Sequence, residues 1–345
     1  MKIKQFQLLR WKDRRPVADL TGEEFITVGK GAFARHGRLE HAALPASVTA
    51  IKAGAFKRCR RLKSIALSDE WSTGISDEAF SNCTRLSSVT PFARICSVGR
   101  RAFYRCQKLP SPELGGDLRK IGEEAFRDCV SIERVELPSS LRTMGKGAFA
   151  GCTELSTLIM EEGFSTLAPR AFSACISLCD IQFSVSIKTV PAGCFRDCSA
   201  LAGLHLPDGA ERVGASAFRG CTALQTVEFG QGLTHVGARA FADTPNLQMI
   251  RVPATVKHLG FAAFGLGKAE EKAVMYVENE YMCRRMRRQL LLCGSSGRVR
   301  VELSGMTIEE RKRGRRRATL EQTPVHIFDE QTETDRSEAS EQISD

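Results

Sequence analysis

The sequence predicts a repeat solenoid of about eleven 23-residue units, and three observations predict it. Eleven phenylalanines recur at Phe33, Phe56, Phe80, Phe103, Phe126, Phe149, Phe172, Phe195, Phe218, Phe241 and Phe264; nine of the ten intervals are 23 residues, and only Phe56 to Phe80 is 24. Ala precedes ten of the eleven, with Cys194 before Phe195. Three residues after the Phe stands a cysteine, at Cys59, Cys83, Cys106, Cys129, Cys152, Cys175, Cys198 and Cys221. Self-similarity at a fixed short period marks a chain built from one supersecondary unit. Such an array offers a surface rather than a catalytic pocket.

The columns around the Phe give each element of the unit in turn. Nine and eleven residues on come two apolar residues, as at Val135/Leu137, Ile181/Phe183 and Val227/Phe229, and this period of two is strand spacing. Pro or Gly ends the strand, as at Pro45, Pro138, Pro207 and Pro253. An apolar residue then precedes the next unit's Gly, as in Ile121-Gly122, Met144-Gly145 and Val236-Gly237. The stretch around Ala-Phe-x-x-Cys is short and reads as one tight helical or 3₁₀ turn. One coil cannot bury its own apolar edge, but stacked coils bury each other's. At about 4.8 Å per coil, the stack is a rod on the order of 50 Å long.

The pattern Leu-x-x-Val/Ile-x-Leu-Pro-x-x-Leu-x-x-Ile-Gly-x-x-Ala-Phe-x-x-Cys resembles the BspA-like class of leucine-rich repeats. Residues 135–160 carry it in Val135, Leu137, Pro138, Leu141, Met144, Gly145, Ala148, Phe149, Cys152, Leu155 and Leu158. The resemblance implies a right-handed leucine-rich-repeat coil with a parallel β-sheet on its concave side and short turns and loops elsewhere. It implies a binding protein, and many members of the class are cell-surface adhesins. It brings no catalytic residue.

The unbroken repeat argues for one solenoid over residues 26–267, an N-terminal cap over 1–25, a C-terminal cap with a helix over 268–303, and a disordered charged tail over 304–345. No segment reaches the roughly 20 apolar residues of a membrane span. Residues 1–20 hold no apolar run of signal-peptide length, which favours an intracellular, cytoplasmic chain, with the nucleus and the cell surface as alternatives. The ladder cysteines then read as free, buried, small hydrophobes. No Cys-x-x-Cys pair or Cys/His cluster suggests zinc, no Gly-rich loop carries Lys-Ser/Thr, and no nucleophile arrangement suggests an enzyme, so no cofactor is expected.

Charge is uneven. Residues 1–125 hold 23 Lys/Arg against 13 Asp/Glu, residues 126–267 hold 12 of each, and residues 268–345 hold 15 of each. Much of the excess flanks the Phe turns, at Arg35, Arg38, Lys57, Arg58, Arg60, Arg61, Arg85, Arg100, Arg101, Arg105 and Lys108. Such a strip is either a solvated face or a site for nucleic acid, anionic lipid or an acidic partner. The outward strand positions, eight and ten residues after each Phe, include Arg134, Asp180, His205, Glu228 and Arg251. They are small and mixed, without a basic-aromatic stacking platform, and suit a protein or peptide partner bound by a monomer.

Irregular coils add candidates. Trp71 lies in the interval with the extra residue, and Phe92 follows Pro91 where a strand residue belongs, so both are candidates for an exposed feature. Pro91 in this coil and Pro110 and Pro112 in the following one predict short or frayed strands in both. His36, Thr244 and Gly267 replace the ladder Cys in the end units, as capping repeats do. Ala273–Val277 reads as a last strand and Asn279 as the cap of a helix to about Leu292, with Tyr281, Met282, Met286, Gln289 and Leu290 on one side. This helix reads as the cap of the open end, or as a basic amphipathic binding helix. Residues 298–303 suggest an edge strand. In the tail, Arg311–Arg317 resembles a nuclear-import signal and Thr319 a basophilic phosphosite. The function expected is a non-enzymatic scaffold binding protein or peptide; the alternatives are a BspA-like surface adhesin and an RNA- or acidic-membrane-binding protein.

Overall fold

A computed structural model describes residues 17–19, 27–67, 74–265 and 272–304, all within one compact unit ending at Ser304. It is a solenoid of about twelve turns of stacked parallel strands. The main ladder runs through His41–Ala43, Ser64–Ala66 and Ser88–Thr90, then Arg134–Leu137, Thr157–Met160 and Asp180–Gln182, then Gly203–His205, Thr226–Glu228, Met249–Arg251, Ala273–Val277 and Val299–Leu303. Val17–Asp19 adds a rung before His41–Ala43. Each repeat strand begins eight residues after its Phe, as the alternation predicts. Its inward residue (Ile65, Val135, Leu204, Val227) is buried, except Ile181, which is half-buried. The coil of Pro91 keeps a full three-residue rung, Ser88–Thr90, because the proline falls just after it, but pairing breaks between that strand and Arg134–Leu137. Pro110 and Pro112 occupy the missing rung and cannot donate to a ladder. A second ladder of two-residue strands, such as Lys120–Ile121 paired with Thr143–Met144, lies just before the Gly column.

The rings of the period form the spine. Phe33 through Phe264 stack one on the next, with centroids 4.8–5.6 Å apart and planes within 11° of parallel. All eleven are buried. The backbone around each ring makes two sets of bonds. Locally, Arg127 N donates to Glu124 O and Cys129 N to Phe126 O, the i to i−3 closures expected of a tight turn. Between coils, Glu124, Phe126 and Asp128 donate to Lys146, Ala148 and Ala150 of the next coil at 2.8–3.0 Å. Meeting both sets puts the residues two before and two after the Phe at positive φ, 52° at Glu124 and 59° at Asp128. The stretch is therefore a string of turns and does not continue as a 3₁₀ helix. Glycine serves in some coils (Gly147, Gly151), but Arg58, Arg101 and Arg105 adopt the same region.

The cysteine column completes the turn. Each of its eight thiols donates to the carbonyl of the Phe one coil earlier, from 2.9 Å for Cys59 on Phe33 to 3.3 Å for Cys221 on Phe195. That carbonyl is not one used by the ladder between turns, so the thiol supplies an extra bond across each coil boundary. All thirteen cysteines are free; Cys179 is exposed, Cys96 half-buried and the rest buried. Burial pushes the Cys59 and Cys221 thiols up to about 12, and the ladder thiols between them also lie well above their ordinary value because burial penalises the thiolate. The thiolate is the reactive form. Native protein treated with a thiol reagent at neutral pH is thus expected to label at Cys179, slowly at Cys96, and elsewhere only on unfolding. Mass spectrometry of labelled peptides reads this directly; rapid labelling of Cys129 or Cys152 in folded protein would contradict the buried ladder.

The C-terminal end is closed as the sequence suggests. Asn279 caps the helix Glu280–Leu292, its Oδ1 accepting from Met282 N at 2.9 Å. Met282, Cys283, Met286 and Leu290 are buried. Tyr281, expected on the packed side, is exposed, because the buried stripe is completed by Cys283 instead. Beyond the helix the chain occupies the place of a next Phe turn: Ala262 N donates to Cys293 O at 2.6 Å and Phe264 N to Ser295 Oγ at 3.2 Å. Arg287 of the helix donates to the carbonyl of Val301 in the final strand at 3.2 Å. No helix among the described residues is long and apolar enough to cross a membrane.

Candidate functional site

The candidate residues fall on two surfaces. On the main sheet, parallel register places His205, Glu228, Arg251 and Tyr276 in one row across four strands. Glu228 joins two of its neighbours: Oε2 lies 3.5 Å from His205 Nδ1 and Oε1 lies 3.3 Å from an Arg251 guanidinium nitrogen. Beside the row, a cleft of about 270 Å³ is lined by these four residues with Asp208, Gln231, Pro253 and Glu278, over buried Phe229. Three of the four row residues stand in the periodic columns. Tyr276 does not, since it lies 25 residues after Arg251, where the 23-residue register has dissolved.

Farther along the sheet the other two candidates stay apart. Arg134 bonds Glu136 on its own strand at 2.7 Å. Asp180 lies two strands away and accepts from Gln182. Both are exposed and bound to neighbours on their own strands.

The Phe-turn edge carries the second surface. Arg101 Nε meets Glu124 Oε2 at 2.5 Å, Arg105 meets Asp128 at 3.3 Å, and Lys57 meets Glu78. Burial pushes the Glu124 carboxyl up, but hydrogen bonds from Arg101 and Arg127 outweigh it and hold the group below its ordinary value. The Lys57 hydrogen bond likewise lowers Glu78. Arg101 and Arg105 also sit over the Tyr104 ring, at 5.6 and 5.1 Å. Their charge is therefore largely balanced, and the free part of the strip is shorter than the sequence suggests. The signal was available: Arg101–Glu124 and Arg105–Asp128 are opposite charges one period apart. Arg58, Arg61 and Arg85 remain exposed.

Phe92 is a correction. It is 9% exposed, and its ring packs on Phe103 and Phe126 at 5.6 and 6.2 Å. Turned inward beside two spine rings, it keeps apolar surface out of water and offers nothing to a partner. Trp71 and Thr319 lie outside the described residues. Among the described residues no cluster of His, Cys, Asp and Glu could hold a metal ion.

Comparison with known proteins bears on the scaffold. No curated protein matches the chain. Among solved structures, it is similar to a leucine-rich repeat protein from Bacteroides ovatus, at 21% identity over 83% of this chain and 91% of that one, with a TM-score of 0.39. It is similar to a leucine-rich repeat protein of T. pallidum, at 29% identity over 52% and 81%, with a TM-score of 0.42. It is also similar to the pneumococcal vaccine antigen PcpA, at 19% identity over 81% and 85%, with a TM-score of 0.45. The model of the BspA type leucine rich repeat region, six copies long, matches residues 26–156, 73–202 and 188–271, which together span most of the chain and the whole ring spine. With the period, the stacked rings and that match in agreement, the chain belongs to the BspA-type leucine-rich repeat family.

Proposed function

We propose that this chain is a non-enzymatic scaffold that binds a protein or peptide, with residues 26–267 as the scaffold, residues 268–303 as its cap, and the cleft beside Tyr276 as the anchor point. The observation that carries this reading is the row His205, Glu228, Arg251 and Tyr276. It places an aromatic ring and a guanidinium, two side chains enriched where binding energy concentrates, beside a cleft of about 270 Å³. Glu228 and Arg251 give the row one charge of each sign to orient a ligand, while most of the remaining sheet is small and polar. Membership of a family of interaction and adhesion proteins supports the same reading.

The test uses the full chain to select peptides from a displayed random library. Selected peptides are expected to bind the wild type and to lose on the order of tenfold or more in affinity for Tyr276→Ala and Arg251→Glu. Selection that returns nothing, or peptides indifferent to both changes, would sink the assignment. The family also supports a second reading, an adhesin at the cell surface. Antibody labelling of intact cells separates the two, since labelling without permeabilisation would replace the internal scaffold with the adhesin.

A further inference from the structure

Five residues after the first four spine rings stand Arg38, Arg61, Arg85 and Lys108, all exposed. The coils that carry them repeat at the ring spacing, 4.8 Å between Phe33 and Phe56 and 5.3 Å for the next two steps. The four cations therefore form a column along the solenoid axis at intervals shorter than the screening length of about 8 Å at physiological salt. Among the described residues none of the four has a carboxylate at ion-pair distance. In neighbouring columns of the same edge Lys57, Arg101, Arg105 and Arg219 each meet a carboxylate of the following coil, while Arg35 and Arg58 are exposed like the column itself. The column ends at the fifth coil, where Ser131 and then Glu154 take the position. A row of like charges is thus held close together by the fold; the carboxylate that feels Arg61, Glu40, is itself bonded to Lys63 at 2.7 Å.

We infer that this column binds a linear acidic polysaccharide, sulfated or carboxylated, lying along the solenoid axis across the first four coils. Charge complementarity selects a polyanion, and the linear array selects an extended one. No aromatic ring stands in the column to stack bases, so the single-stranded nucleic-acid mode is not provided for. An extended acidic peptide presents one face only every second residue, about 6.6 Å, and slips out of register with the coils. In an acidic glycan each sugar ring is about as long as a coil is thick and carries its anion at nearly that interval. This site is separate from the Tyr276 cleft and does not rest on the reading of that cleft.

Fluorescein-labelled heparin fragments and the full chain provide the test, by anisotropy titration across a salt series. Wild type is expected to bind with affinity falling log-linearly with salt. In Arg61→Gln/Arg85→Gln the slope is expected to fall by about two and affinity by about tenfold or more, as two contacts and their counterions are removed. Arg61→Glu/Arg85→Glu should abolish binding. The control Arg142→Glu/Lys146→Glu changes net charge equally at another place on the surface and should stay within about twofold of wild type. The inference is overturned if heparin does not bind at physiological salt, or if the control weakens binding as much as the column variants. It is equally overturned if poly(U) of matched charge binds more tightly than heparin with the same variant sensitivity, which would make the column a nucleic-acid site.

Discussion

Phe149→Ala is expected to lower the free energy of unfolding by about 3–5 kcal/mol, the range for removing a buried aromatic from a core that cannot collapse around the gap. Collapse is blocked here by the stack itself. The Phe149 ring is fully buried and lies 4.9 Å from Phe126 and 5.5 Å from Phe172, nearly parallel to both. Those neighbours are held at coil spacing by their own backbone ladders, with Phe126 N on Ala148 O and Phe149 N on Ala171 O, so they cannot close on the void. Because each coil touches only its neighbours, the loss also weakens the coupling between the halves on either side. Denaturant unfolding followed by circular dichroism should show a lower midpoint and a broader or divided transition. Phe261→Ala is the control: that ring is 56% exposed, outside the spine, and should change stability by no more than about 0.5 kcal/mol. An unaltered midpoint for Phe149→Ala would mean that the rings are not the stabilising spine.

The second large effect is expected from the smallest residue. A Cβ on Gly145 would lie 2.2 Å from Glu123 N and 2.4 Å from Gly122 C, both backbone atoms of the preceding coil. Backbone cannot swing aside as a side chain can. The two coils meet here through the bond from Gly145 N to Ile121 O, 2.8 Å long, and separating them to admit a methyl group would lengthen it. Overpacking of this kind costs about 1–3 kcal/mol, and Gly145→Ala should fall toward the upper end. Gly116→Ala, where nothing lies within 4 Å of the added carbon, provides the comparison and should be near neutral. Matching midpoints for the two variants would contradict the close approach.

These two cases mark how far the sequence could be read. The phenylalanine register placed the repeat strands, the turns and the outward columns, because burial of one face leaves a period that survives variation elsewhere. It also placed Asn279 as a cap and Pro110 as a break, since each has a local mechanism. What escaped depended on relations between coils. The positive φ at Arg58 and Arg105 arises from bonds to the next turn, and neither residue type advertises it. The thiol-to-carbonyl bonds follow from where Phe carbonyls point, which composition does not carry. Phe92 departs from its expected exposure because a ring beside a proline looks exposed until the neighbouring coils are in place. Of the cleft residues, His205, Glu228 and Arg251 were legible as members of a column, and Tyr276 was not.

The one-way bonding of the Phe turns has a further consequence. Every turn directs its amide hydrogens toward the C-terminal coil and receives them with carbonyls facing back. The stack of described coils therefore has a donor end and an acceptor end, and the amide hydrogens of its last Phe turn leave a socket for acceptors on the C-terminal side. Cys293 and Ser295 occupy that socket. The segment just past the terminal helix thus supplies the acceptors that a next coil would have given, and the direction of the bonding is used up there.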